Sequence, residues 1–220
     1  MKLIAALFIA FAYSPHALPA AENRIIDDAP EFTVKPATHA LLKQLRDGGY
    51  VLYMRHGNSD ITHPDQLPAV DLNDCSTQRD LTKEGSALSA YIGRKIHRAG
   101  IPVGEVISSP LCRAQKTALA AFGTKFSINN SLMYTAGMTA KDKIPVIEAT
   151  RELISKPVEG KENRVIVSHG QPLIELIGYL PKPEGTIAVF QPMGNLQFKY
   201  IASIAPSQWG KLIYRAPLNP

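Results

Sequence analysis

The chain has no apolar run long enough to cross a bilayer, which takes about 20 residues; the longest, residues 3–12, falls well short. No run of Lys and Arg reaches five, although 24 of them against 19 Asp and Glu leave a net charge of +5. Scattered cations do not make the basic stripe of a nucleic-acid binder. They suit an enzyme that takes an anionic substrate. Cysteine is scarce: Cys75 and Cys112 are the only two, an even count that suits an exported chain but specifies little alone. Internal repeats and low-complexity tracts are missing, which excludes solenoids, fibres and disordered tails. What remains, 45% hydrophobic and 20% charged over 220 residues, is the composition of one soluble domain with a real core.

The first twenty residues stand apart. Lys2 supplies a positive start, residues 3–12 an apolar stretch, and Ala20 and Ala21 small residues before Glu22. That order is a secretory signal peptide over 1–20, leaving a mature domain over 21–220 with no membrane span after cleavage. An uncleaved anchor is the alternative.

Thr38 is placed to cap a helix whose Leu41, Leu42 and Leu45 share one face. Residues 50–54, Tyr-Val-Leu-Tyr-Met, then read as a buried strand. Residues 57–80 are long, polar and irregular, the mark of a functional loop. Thr82 caps a second helix with Leu88, Ile92 and Ile96 at spacing four. Strands follow at 105–108 and 164–168, with less clear ones at 125–128, 186–190 and 196–204. Helices follow at Pro110, around 141–155 and at Pro172. Strands alternating with helices, ending in a hairpin, predict an α/β fold with a mostly parallel central sheet.

Three strand ends carry unusual residues: Arg55-His56-Gly57, then Ser109-Pro110-Leu111-Cys112-Arg113, then Ser168-His169-Gly170. Ligands of open α/β sheets sit outside the carboxyl ends of strands, so two histidines and two arginines should converge. Arginines repel a metal, and no carboxylate pair accompanies the histidines. Guanidinium forks match phosphoryl oxygens, and an imidazole nitrogen is a competent nucleophile towards phosphorus. Gly57 and Gly170 would leave room for the substrate, and helix starts after Pro110 and Pro172 would add anion-binding amides.

These three motifs, in this order over residues 50–204, resemble the histidine phosphatase (phosphoglycerate mutase-like) superfamily. The resemblance implies a three-layer α/β/α sandwich and a phosphatase in which His56 is the phosphorylated nucleophile. Arg55, Arg113 and His169 would complete the phosphate pocket. Asn58 and Ser59, where the family often has Glu-Thr, would be phosphate contacts or plain loop. No metal and no organic cofactor are implied, and the partner is a small phosphorylated substrate.

One element of the family pattern is missing. Its efficient members carry a carboxylate acid between the second Arg and the second His, or directly after that His. Residues 131–140 hold no Asp or Glu, and His169 is followed by Gly170 and Gln171. Asp60 and Asp65 in the long loop are the nearest substitutes; otherwise they are solvated loop carboxylates. The gap leaves two readings: a phosphohydrolase, or a degenerate relative that binds an anion without efficient turnover. Residues 74–81, Asp-Cys-Ser-Thr-Gln-Arg-Asp-Leu, are similar to a segment of small exported members, which suggests a phosphorylated envelope component as substrate. Cys112 lies beside Arg113, and Cys75 sits late in the long loop. In an oxidising compartment they are expected to form a disulfide at the pocket rim; two separately buried thiols are the alternative.

Overall fold

The computed structural model describes residues 31–66 and 70–214. The expected signal peptide, residues 1–20, lies outside the described residues. In chain order the strands are β1 (Val51–Arg55), β2 (Val103–Ser108), β3 (Ser127–Ile128), β4 (Asn163–Ser168), β5 (Ile187–Gly194) and β6 (Gln197–Ile204). The helices are α1 (His39–Asp47), α2 (Lys83–Arg98), α3 (Cys112–Phe122), α4 (Ala140–Ser155), α5 (Gln171–Ile177) and α6 (Trp209–Tyr214).

Strand β1 shows why the sequence runs apolar without alternating. Leu52 and Met54 enter one core with α1, α2, α3 and α6, while Val51 and Tyr53 enter another with α4 and α5. Both faces of the sheet are covered, so every position must be apolar. Strand β4 repeats this, with Val165 and Val167 on the first side and Ile166 on the second. The result is the three-layer α/β/α sandwich expected, with strand order β3-β2-β4-β1-β5-β6. The first four strands in that order are parallel; β5 is antiparallel to β1, and β6 is antiparallel to β5.

Local signals account for most element boundaries. Thr38 and Thr82 accept hydrogen bonds from the Leu41 and Gly85 N–H groups at 3.3 and 2.9 Å, as N-caps do. Helix α3 begins at Cys112 rather than Pro110, because Leu111 is extended and caps it without a side-chain bond. Helix α6 is an element the sequence reading did not identify. It is one and a half turns long, and its buried Trp209 and Leu212 make no repeating pattern. Among its described residues the 57–80 segment is irregular as expected, with a 3-10 turn at Cys75–Thr77, and a bridge pairs Ser59 with Leu81.

Register fixes what meets at the sheet's edge. Strands β2, β4 and β1 are adjacent and parallel, with Arg55 opposite Ser168 and Ser108 opposite Val167. The next residues, His56, His169 and Ser109, therefore leave the sheet side by side.

Candidate active site

His56 is 1% exposed. Its Nδ1 lies 2.8 Å from the Gly57 carbonyl oxygen, which can only accept, so Nδ1 carries the hydrogen and Nε2 keeps its lone pair. Burial, then Arg113, holds its pKa well below the usual 6.5. The ring is a neutral imidazole with a free nucleophilic nitrogen. His169 is fully buried, its ring centroid 5.3 Å from that of His56. Its Nε2 is 2.8 Å from Ser109 Oγ. That hydroxyl also accepts from the Leu111 N–H at 3.3 Å, and we assign its own hydrogen to Nε2. On this assignment Nδ1 of His169 is a donor. Burial, then Arg113, also pushes the His169 pKa well below its usual value.

Three guanidiniums surround the two rings. Arg55 donates through Nη1 to the Pro181 carbonyl at 3.0 Å and through Nη2 to Glu184 Oε1 at 3.1 Å. Arg113, 0% exposed, donates through Nη1 to Asp65 Oδ1 at 2.8 Å and to the Arg79 carbonyl at 3.3 Å. Arg79 and Arg113 both lie against the Tyr134 ring, with Cζ 5.7 and 5.0 Å from its centroid; the same ring meets His169 edge-on at 5.5 Å. Arg55 Nε, Arg79 Nε, Arg113 Nε and Nη2, and His169 Nδ1 are all buried with no hydrogen-bond partner among the described residues. A buried donor left unpaired costs about 1–3 kcal/mol. Five around one unprotonated imidazole nitrogen form a cluster of donors suited to an anion. Nε and Nη2 of Arg113 form one edge of its guanidinium, the edge that grips two oxygens at once.

Of the residues expected here, His56, Arg55, Arg113 and His169 come together. The others serve the frame. A Cβ on Gly57 would stand 2.5 Å from the Gly85 carbonyl oxygen, and one on Gly170 2.3 Å from Leu180 Cδ1. The room left by Gly57 is taken by the α2 backbone, and that left by Gly170 by the end of the Leu180 side chain beside Arg55. Asn58 is exposed and acts through its backbone, its carbonyl accepting from the Thr82 N–H at 2.9 Å. Ser59 is buried and donates to Glu184 through its hydroxyl at 3.2 Å and its N–H at 3.3 Å. Ser59 thus orients the carboxylate that holds Arg55. The first amide of α3, Cys112 N–H, donates to Gln78 Oε1 at 2.7 Å, so it is already taken.

The two loop carboxylates part ways. Asp60 has a side chain 39% exposed. Hydrogen bonds from Thr62 and then His63 hold its pKa down to about 2. Asp65, with a side chain 5% exposed, is paired with Arg113. The Cys75–Cys112 disulfide is present, with Cα atoms 5.7 Å apart, and ties the loop to the start of α3. Arg79, Glu184 and Tyr134 are site residues the sequence reading missed. Arg79 lay within the noted 74–81 segment, one residue after Gln78, and its being a third arginine near two others was the available signal. Glu184 and Tyr134 sit in irregular stretches with no motif.

A cavity of about 240 Å³ opens beside Arg79 and Tyr134, lined also by Ile61, Pro64, Asp65, Ala136 and Gly137. A larger hollow of about 900 Å³ beside α1 and α6 contains none of these groups.

No protein-family model and no curated protein matches the chain. Solved structures do. The product of an open reading frame of Mycobacterium tuberculosis is 16% identical, with a TM-score of 0.51, over 71% of this chain and 98% of that one. A mycobacterial glucosyl-3-phosphoglycerate phosphatase in complex with VO3 is 17% identical, with a TM-score of 0.50, over 70% and 98%. The protein histidine phosphatase SixA complexed with tungstate is 19% identical, with a TM-score of 0.48, over 72% and 98%. The first two share the fold of this chain, the phosphoglycerate mutase-like sandwich.

Proposed function

We propose that this protein is an exported phosphohydrolase that transfers a phosphoryl group from a small phosphate ester to His56 Nε2 and then to water. The observation that carries this is the neutral, buried His56, with Nε2 unprotonated, among five partnerless donors. Nε2 attacks phosphorus. Arg113, Arg55, Arg79 and His169 take the charge that develops on the equatorial oxygens, the kind of preorganised stabilisation that supplies most of the rate in acyl and phosphoryl transfer. Glu184 keeps Arg55 in place from behind. The 17%-identical fold neighbour that is a phosphatase, held with VO3, supports the same chemistry. Export is supported by the signal-like first twenty residues and by a disulfide of the sort that persists in oxidising compartments.

Incubation with p-nitrophenyl phosphate tests the reading. Wild type should release nitrophenolate and yield an acid-labile phosphohistidine that maps to His56. Turnover that survives in His56→Ala would overturn it. The alternative, an anion-binding relative without turnover, is favoured by residues 131–140, which offer Tyr134 and Thr135 but no carboxylate. Tight binding of inorganic phosphate with no release of nitrophenolate would establish that alternative.

A further inference from the structure

The geometry points to Asp65 as the general acid of the reaction, delivering a proton to the leaving oxygen from a segment far from 131–140. The inference rests on the phosphatase reading above.

Three carboxylates approach the site, and two are badly placed. Glu184 has Oε1 3.9 Å from His56 Nδ1, and its oxygens already accept from Arg55 and Ser59. It stands on the Nδ1 side of the ring, whereas an in-line leaving group lies beyond phosphorus from Nε2. Asp60 points to solvent, with both oxygens engaged by Thr62 and His63. Asp65 differs on each count. Its side chain is nearly buried, and it lines the 240 Å³ cavity that opens from Arg79 and Tyr134 towards the exposed Ile61. Arg79, which carries one of the unpaired donors, lines the same cavity, so a leaving group seated there stands beside Asp65. Only Oδ1 is engaged, by Arg113 Nη1 at 2.8 Å and the Arg79 N–H at 2.8 Å. Oδ2 has no hydrogen-bond partner among the described residues. Because Arg113 offers Nη1 to Asp65 and keeps Nε and Nη2 free, carboxylate and phosphoryl group share one guanidinium.

The proton balance closes. A phosphomonoester monoanion brings one proton. As its oxygens take the free edge of Arg113, that proton passes to Oδ2 of Asp65. The Nε2–P bond forms while the bond from phosphorus to the leaving oxygen breaks, and that oxygen takes the Asp65 proton to leave as an alcohol. The Asp65 carboxylate then accepts a proton from the water that attacks phosphorus. The P–N bond breaks, Asp65 returns that proton to the phosphate, and dihydrogen phosphate and neutral His56 are released.

The test compares Asp65→Asn with wild type by kcat/KM, which reports the first phosphoryl transfer. On p-nitrophenyl phosphate, whose phenolate leaves unaided, the loss should stay below ~10-fold, whereas on glycerol 2-phosphate it should reach ~10²–10⁴-fold. Equal losses on both substrates, or none on either, would overturn the assignment and leave Asp65 as a residue that positions Arg113. Wild type inert towards both esters would instead remove the phosphatase reading, and this inference with it. Should Asp65→Asn not fold, wild type alone decides across a series of aryl and alkyl phosphates. A shallow dependence on leaving-group pKa supports the acid, and a steep one overturns it.

Discussion

The strand ends and the 57–81 segment both bring charged side chains to one anion cradle, yet they are held by different means. At the strand ends, position follows from backbone register: Arg55 opposite Ser168 puts His56 beside His169, and two cores hold that register from both faces. In the loop, Asp65 and Arg79 are held by one disulfide, one Gln78–Cys112 hydrogen bond and the pairing with Arg113. A sheet edge places a residue such as His56 through the cores packed on both faces of its strand. A loop must be tied down piece by piece. The strand ends should therefore tolerate loss of their functional side chains without losing the fold, while the loop should lose function whenever a tie is cut.

The largest effect belongs to the strand ends. His56→Ala should reduce turnover to background, since the unprotonated nitrogen of His169 is already engaged by Ser109. Its thermal midpoint should stay within a few degrees of wild type, because the ring's only hydrogen bond is to its neighbour Gly57. Calorimetry on an inactive variant checks both halves, and an inactive but unfolded protein would contradict the separation of chemistry from frame.

Arg113 joins the two regions, gripping Asp65 with one nitrogen while offering its free edge. Arg113→Ala should cost ~10²–10³ in kcat, the usual loss for one preorganised donor, and should also strand the Asp65 carboxylate. Arg113→Lys should be nearly as poor, because an ammonium cannot form the planar fork. A lysine variant within a few-fold of wild type would show that the two free nitrogens are not used together.

Cutting the loop's covalent tie should have a smaller effect on rate and a clearer one on stability. Paired Cys75→Ser and Cys112→Ser substitutions remove a cross-link over a separation of 37 residues. By loop entropy this costs ~3–4 kcal/mol. Activity should fall by about 10-fold or more, as Asp65 and Arg79 lose their fixed distance from the phosphate; misplacement by ~1 Å can cost ~10²-fold. Denaturant titration and kcat/KM, with and without a reductant on wild type, measure the two effects. An unchanged kcat/KM would mean that the pairing of Asp65 with Arg113 suffices to hold the loop.

The same contrast explains what could be read from the sequence. Residues 50–54 and 165–167 are unbroken apolar runs because both faces of their strands are covered, and each run leads into chemically odd residues. Chain pattern and chemistry thus point to the same place. Arg79 and Glu184 were not legible, since neither follows a periodic run and each acquires its role only when the loop folds back. Gly57 misled for a related reason. A glycine beside a catalytic histidine suggests space for substrate, whereas here it lets the carbonyl of Gly85 approach to where a Cβ would be, something only the packing of α2 reveals. Asp65 lay between these extremes, visible as a carboxylate in the right segment but indistinguishable in sequence from Asp60.

The smallest effect separates the two regions by pH. His56 and His169 are both held well below 6.5, chiefly by burial. Below pH 6.5 the unfolded chain therefore takes up protons that the folded protein refuses. The sign follows: the stability contributed by these neutral rings is fully present above about 6.5 and is lost as pH falls through the window beneath it. Each ring adds a slope of up to ~1.4 kcal/mol per pH unit. The loop behaves differently. Asp60 is held at about 2 from a usual 3.8, so its contribution persists down to about 3.8 and disappears only as pH falls towards 2; being solvated, it adds little. Stability measured by denaturant from pH 7.5 to 5 in phosphate-free buffer should thus decline with a slope that belongs to the strand ends. His56→Ala and His169→Ala should each flatten it by about half, whereas Asp60→Asn should leave it unchanged. A wild-type profile flat across that range would mean that the rings accept protons inside the fold, which would remove the unprotonated Nε2 on which the nucleophile depends.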